Sequence, residues 1–285
     1  MTINMVTISN ENLKVEISSL GAEIQSVKQN GEELIWEGDP AVWSGHSPLL
    51  FPICGGLKED RYIYAGKEYT LPKHGFARHS EFQVEEVTTD RAVFSLQSSE
   101  ETKKAYPFDF LLTVTYQLEG EKLLVTYDVR NLTDGEMYFS IGSHEAYACP
   151  NGIEEYSVIF EKEENLDAVV LDGNTLSDQT VRIGEKVREL PLRYEYFAVD
   201  ALVFINLESR AATLRNNRTG KEIKVEFPGA DYFLIWTKPQ AKYICLEPWC
   251  GCPDFTKSSY EIAEKRGIIR VAKGETCTRK HTIQF

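Results

Sequence analysis

Histidine is the scarcest proton-moving side chain in this 285-residue chain, with five copies at 46, 74, 79, 144 and 281. His144 follows Gly142-Ser143 after the strand-like run Tyr138 to Ile141, so its imidazole is expected at a strand end over a concave sheet face. His74 stands in Lys73-His74-Gly75-Phe76-Ala77-Arg78, where Gly75 permits a turn or the close approach of a ligand. A structural hydrogen bond is the plain alternative for either. His79 reads as a surface residue, and His46 and His281 have no supporting context. Glu247 is the most informative carboxylate, in the apolar run Ile244-Cys245-Leu246 just before Pro248-Trp249. A charge there is costly unless it is paired, hydrogen-bonded or at the mouth of a pocket. Trp249 is the kind of side chain that stacks on the C–H face of a sugar ring, with core packing as the alternative. Asp200, in Phe197-Ala198-Val199-Asp200-Ala201-Leu202, is either a ligand-holding carboxylate or a turn cap.

Near neutral pH a glutamate is ionised and a histidine partly protonated, so one can accept a proton as the other donates. Other chemistries fit poorly. The chain has no G-x-S-x-G elbow, no G-x-x-x-x-G-K-[ST] phosphate loop and no H-E-x-x-H helix. Gly55-Gly56 lacks the strand–loop–helix context of a dinucleotide site. Six cysteines, at 54, 149, 245, 250, 252 and 277, are expected as buried thiols. Cys250-Gly251-Cys252 does not match the usual zinc spacing and has no second pair, so neither a metal nor a cofactor is expected.

Such residues need a frame, and strand periodicity supplies it. Leu112, Val114, Tyr116 and Leu118 alternate with polar residues up to Glu119-Gly120-Glu121, and Leu123, Val125, Tyr127 and Val129 resume the pattern. This reads as an antiparallel hairpin. A second hairpin is expected between 211–215 and 223–227, and a short one between 62–64 and 68–70. Further strands are expected at 5–8, 13–18, 34–36, 82–87, 92–96, 138–141, 156–160, 202–206, 232–236 and 243–246. Only 101–105 and 259–266 look helical. Many strands, little helix and short connections predict an all-β fold, a large antiparallel β-sandwich. No linker or repeat divides residues 1–285, so a single domain is expected.

With 31 basic and 44 acidic residues the net charge is −13, which argues against nucleic acid as a partner. No apolar stretch is long enough to span a bilayer, and Met1 to Val15 lacks the layout of a signal peptide. A cytoplasmic protein with no membrane partner and a small-molecule ligand is expected.

Lys73-His74-Gly75-Phe76-Ala77-Arg78, Gly142-Ser143-His144, Val199-Asp200-Ala201-Leu202 and Leu246-Glu247-Pro248-Trp249 occur in an order that resembles the aldose 1-epimerase (galactose mutarotase) family. Trp43 to Pro52 and Ile235-Trp236-Thr237-Lys238-Pro239 are similar to its shorter bacterial branch. The resemblance implies that family's β-supersandwich, with a sugar bound in a cleft on the concave sheet. It implies Glu247 as general base, His144 as general acid, His74 as a second active-site histidine and Asp200 as a carboxylate holding sugar hydroxyls. Two positions depart from the pattern. Glu145 follows His144 where the branch often has proline, and Gly56 stands where it often has an arginine that Arg78 or Arg61 could replace. The expected reaction exchanges α and β anomers of a free aldohexose. The C1 hydroxyl loses a proton as the ring oxygen gains one, the ring opens, the C1–C2 bond rotates and the ring closes on the other face. A hexose-6-phosphate 1-epimerase, with Lys58, Lys73, Arg61 and Arg78 as phosphate partners, is the nearest rival. A non-catalytic sugar-binding module and a glycosidase using Asp200 and Glu247 are the others.

Overall fold

The computed structural model describes residues 4–285; residues 1–3, which open the segment read above for targeting signals, lie outside the described residues. The alternating hairpin forms as its pattern requires. Strands Phe110–Glu119 and Lys122–Asn131 pair in a register that puts Leu112 opposite Val129, Val114 opposite Tyr127 and Tyr116 opposite Val125. All of these side chains are buried, while the residues between them are only partly covered. A period of two therefore gives the sheet a dry face and a wetter one.

The strands assemble into an all-β antiparallel sandwich. A four-stranded sheet, Met5–Ser9 to Glu32–Glu33, packs beside a sheet of fifteen strands. The large sheet turns on Tyr156–Asp172, seventeen residues long. One end of that strand pairs with Ala211–Asn216 and the other with Leu202–Phe204, with register shifts between them. Such bulges bend a strand and let one sheet serve two layers.

Five strands matter for the site: β1 (Ile141–Ser143), β2 (Ala146–Ala148), β3 (Leu202–Phe204), β4 (Tyr232–Trp236) and β5 (Tyr243–Cys250). Nearly every residue of β4 and β5 is buried, which is why both read as continuous apolar runs. Alternation still separates their faces. Phe233, Ile235, Ile244 and Leu246 enter the main core, whereas Tyr232, Leu234, Tyr243, Cys245 and Trp249 belong to two smaller clusters on the other side. Glu247 shares that second face.

Several expectations are corrected. Residues 259–266 form only a short 3-10 turn, Ile262–Glu264, because the backbone at Tyr260 and Glu261 is taken by the edge at Ile63. Residues 34–36 make a single bridge, Ile35 to Tyr147, and the strand beside them is Glu32–Glu33. The run 138–141 breaks at Ser140, whose amide donates to the carbonyl of Pro52. β5 does not end at Leu246 but continues through Pro248 to Cys250, and β1 pairs with it at Trp249 and Cys250. The partner hairpin arm Thr175–Pro191 is largely exposed and polar, so it carries no apolar alternation to find. The other hairpins pair as expected, and the short helix Glu100–Ala105 is closed by a Ser99–Thr102 capping box. No helix among the described residues is long and apolar enough to cross a membrane.

Candidate active site

The second face of β4 and β5 floors a cleft of about 340 Å³ whose lining includes Glu247, His144, His74, Asp200, Arg78 and Trp249. All six residues singled out in the sequence thus meet in one place. A larger groove of about 850 Å³ runs past Glu32, Trp36 and Tyr156, but it holds no histidine. Its Glu32 is paired with Lys221 and its Glu33 accepts from Ser26 Oγ and the Val27 amide. Size does not pick out the chemistry here.

His144 sits between β1 and β2, and its Nε2 lies 3.4 Å from Glu247 Oε2. Both residues are buried, at 8% and 1% exposed. Within the protein, His144 Nδ1 and Glu247 Oε2 have no hydrogen-bond partner among the described residues. Burial drives their proton affinities in opposite directions. It pushes the Glu247 carboxyl well above its usual range, aided by the negative charges of Glu145 and Asp200 and opposed by Lys73. It pulls the His144 imidazole down to about 3, helped by the positive charges of Arg78 and Lys73. Groups this close titrate as a pair. Between its two macroscopic values the pair holds one proton.

Aromatic rings fix the imidazole. Trp43 lies over it with centroids 5.1 Å apart, and Trp236 meets it edge-on at 5.4 Å. The sequence motifs contain both tryptophans, yet nothing in their spacing marks them as walls of the site. Trp249 is nearly fully buried and its Nε1–H donates to the Ser143 carbonyl at 3.0 Å. The indole can offer the cleft an apolar surface but no donor. It lies against Gly142, where a Cβ would come within 2.6 Å of the ring, so only glycine admits it.

His74 is held in the left-handed region, φ 70°, by two bonds to one residue. Its amide donates to the Gly55 carbonyl at 2.8 Å, and the Gly55 amide donates to its Nδ1 at 3.1 Å. An Nδ1 that accepts leaves the proton on Nε2. Burial and the neighbouring His144 hold its pKa well below the usual histidine value, so His74 is a neutral donor.

Asp200 both caps and lines. Its Oδ1 accepts from the Ala201 amide at 2.8 Å, and its second oxygen is free for the cleft. Arg78 and Lys73 line the cleft with no hydrogen bond or ion pair to the protein among the described residues, whereas Lys238 is tied to the Val42 carbonyl at 2.5 Å. The other two cations named from the sequence lie elsewhere. Lys58 borders a separate depression with Glu59 and Asp60, and Arg61 is engaged by Glu59 and Glu68.

The two departures from the family pattern have physical accounts. A Cβ on Gly56 would meet Asn174 at 2.6 Å, because the turn between the long hairpin arms occupies that space. No side chain fits at Gly56; Arg78 and Lys73 are the unpaired cations in the cleft among the described residues. Glu145 points away from it. Alternation puts Ala146 with the cleft-side cluster and Tyr147 in the main core, and Glu145 follows Tyr147. Its Oε1 lies 2.9 Å from His281 Nε2, with both residues buried. His281, which has no context in the sequence, is therefore a core residue of the last strand, Thr276–Gln284.

All six cysteines are free thiols. Cys250 and Cys252 donate separately to the carbonyls of Gly229 and Arg266. Cys245 is the thiol near the pair: an atom each of His144, Cys245 and Glu247 lies within 4.8 Å of the others.

Comparison with known proteins finds relatives over nearly the whole chain. A family model described as aldose 1-epimerase matches residues 4–284. The plasmid-borne protein LacX of Lactococcus lactis subsp. lactis is 33% identical, with 98% of each chain covered. A galactose mutarotase related enzyme from Lactobacillus acidophilus superimposes with a TM-score of 0.93 at 32% identity, covering 99% of this chain and 97% of that one. A galactose mutarotase-like protein from Lactobacillus casei gives the same TM-score at 28% identity, with 99% of each chain covered.

Proposed function

The chain belongs to the aldose 1-epimerase family, and from that premise we propose that it interconverts the α and β anomers of a free aldohexose. Glu247 takes the proton of the C1 hydroxyl while His144 gives one to the ring oxygen. The observation that carries this reading is the 3.4 Å His144–Glu247 contact at the floor of a cleft, with unsatisfied polar atoms on both partners. Opening the ring turns the ion pair into a neutral pair, and closing it on the other face reverses the transfer. No proton need be exchanged with solvent. Burial favours the neutral pair, which is the form present while the aldehyde rotates. His74 donates through Nε2–H to a sugar oxygen, Asp200 accepts from hydroxyls, and Trp249 and Trp236 offer apolar faces. Residues 1–285 act as one domain in this reading.

A second reading has one observation in its favour. Lys73 and Arg78 are unpaired in the cleft, and two free cations suit a 6-phosphate. Polarimetry on fresh α-anomers of galactose and glucose, each with and without a 6-phosphate, separates the two. Faster relaxation on the neutral sugars is expected. Acceleration confined to the phosphates would favour the second reading. A flat response would leave a sugar-binding module, and nitrophenol release from an aryl glycoside would indicate a glycosidase.

A further inference from the structure

We propose that His144, Cys245 and Glu247 form a site for a thiophilic divalent cation of the zinc type, which occupies the floor of the cleft and excludes the sugar. The site needs no sequence motif, because its ligands come from two elements. Cys245 and Glu247 project from the same face of β5, two residues apart, and His144 reaches them from the turn between β1 and β2.

Four observations support it. One atom from each residue lies within 4.8 Å of the other two. The His144–Glu247 distance of 3.4 Å already matches the roughly 3.3–3.6 Å between ligands of a tetrahedral zinc ion. All three residues are buried, Cys245 and Glu247 almost completely. Glu247 Oε2 has no hydrogen-bond partner, and no hydrogen bond engages the Cys245 thiol among the described residues. The carboxylate and the thiol therefore each gain a partner when the ion enters, with His144 ligating through the Nε2 that faces Glu247.

Charge and softness then select the ion. A dication with one thiolate, one carboxylate and one neutral imidazole is neutral overall, which a buried site tolerates. Binding sends the thiol proton and the proton held by His144 and Glu247 into solvent. Sulfur and nitrogen ligands favour zinc or cobalt, whereas magnesium requires oxygen. Three protein ligands leave a fourth position open toward the cleft.

The metal site stands on its own geometry; only its effect on turnover rests on the proposed function. Cobalt(II) added to the folded protein should produce thiolate-to-cobalt charge-transfer absorption, and zinc should abolish it. Cys245→Ser should weaken cobalt binding by at least about tenfold, the cost of losing even an outer partner of a metal. Cys245→Ala replaces it should that variant fail to fold. Cys250→Ser and Cys252→Ser should keep the spectrum. In the same preparation zinc should slow mutarotation competitively with sugar, and magnesium should not. Absence of the cobalt–sulfur band in the unaltered protein overturns the proposal, as does a band that survives in a folded Cys245 variant. A band without inhibition keeps the metal site but overturns its exclusion of the sugar.

Discussion

Among the described residues two histidine–carboxylate pairs are buried, and adjacent residues, His144 and Glu145, belong to different ones. His281 and Glu145 are 2.9 Å apart, while His144 and Glu247 are 3.4 Å apart. By distance alone the core pair is the better hydrogen bond. Yet Glu145 and His281 do not line the cleft that His144 and Glu247 share with His74, Asp200 and two unpaired cations. The looser pair keeps unsatisfied atoms beside open space and can accept a ligand. What distinguishes a reactive pair from a structural one here is access and unmet bonding capacity, not proximity.

The comparison breaks most directly at Glu247. Glu247→Gln and His144→Asn should each slow mutarotation by about 10²–10⁴-fold, the usual worth of one acid or base group. The double variant should lose less than the product, since the two act as a unit. Near-normal turnover in folded Glu247→Gln protein would remove the basis for a catalytic pair.

The core pair should behave in the opposite way. His281→Ala leaves Glu145 Oε1 without its partner in the interior and should cost about 3–5 kcal/mol of stability. A urea midpoint measures this, and turnover per folded molecule should stay within a few-fold. A large loss of activity with an unchanged midpoint would mean that the pairs are not separate.

Their residual coupling shows in the pH profile. The sequence alone assigns the acid limb to Glu247 and the alkaline limb to His144, as independent groups. At 3.4 Å both limbs belong to the pair. At low pH the pair takes a second proton and the base is lost; at high pH it loses its only proton and the acid is lost. With Glu247 raised and His144 lowered toward about 3, the acid limb should fall below the ordinary glutamate range. Glu145→Gln removes a negative charge that helps hold the Glu247 proton, so the whole bell should move to lower pH. A profile identical to that of the unaltered protein would show that the core pair is electrically silent.

Smaller effects are expected at the margins. His74→Asn should act mainly on KM, by about three- to tenfold, the value of one neutral hydrogen bond. A larger fall in kcat would place His74 among the reacting groups. Chelator and reductant should leave turnover unchanged. Loss in EDTA with recovery on adding zinc would make the metal a requirement rather than a competitor.

Much of this was legible in one dimension. Period-two alternation from 110 to 131 dictated its hairpin, because the pleat sends alternate side chains to opposite faces. A carboxylate in the apolar run before Pro248-Trp249 marked Glu247, because burying a charge is too costly to occur without a role. The motif order singled out the residues that meet in the cleft. Other features had no local signature. His281 and Glu145 are 136 residues apart in the chain, and only pairing in three dimensions joins them. Cys245 looked like one more apolar residue until alternation on β5 put its thiol on the face of Glu247. Gly56 reads in the sequence only as the loss of an arginine, but the distant Asn174 turn fills its side-chain space. Sequence determined which residues could carry charge and which way each strand would face, since both follow from side-chain chemistry and backbone period. Tertiary structure decided which of the two buried pairs meets open space, because access depends on how distant strands pack and not on any residue's neighbours in the chain.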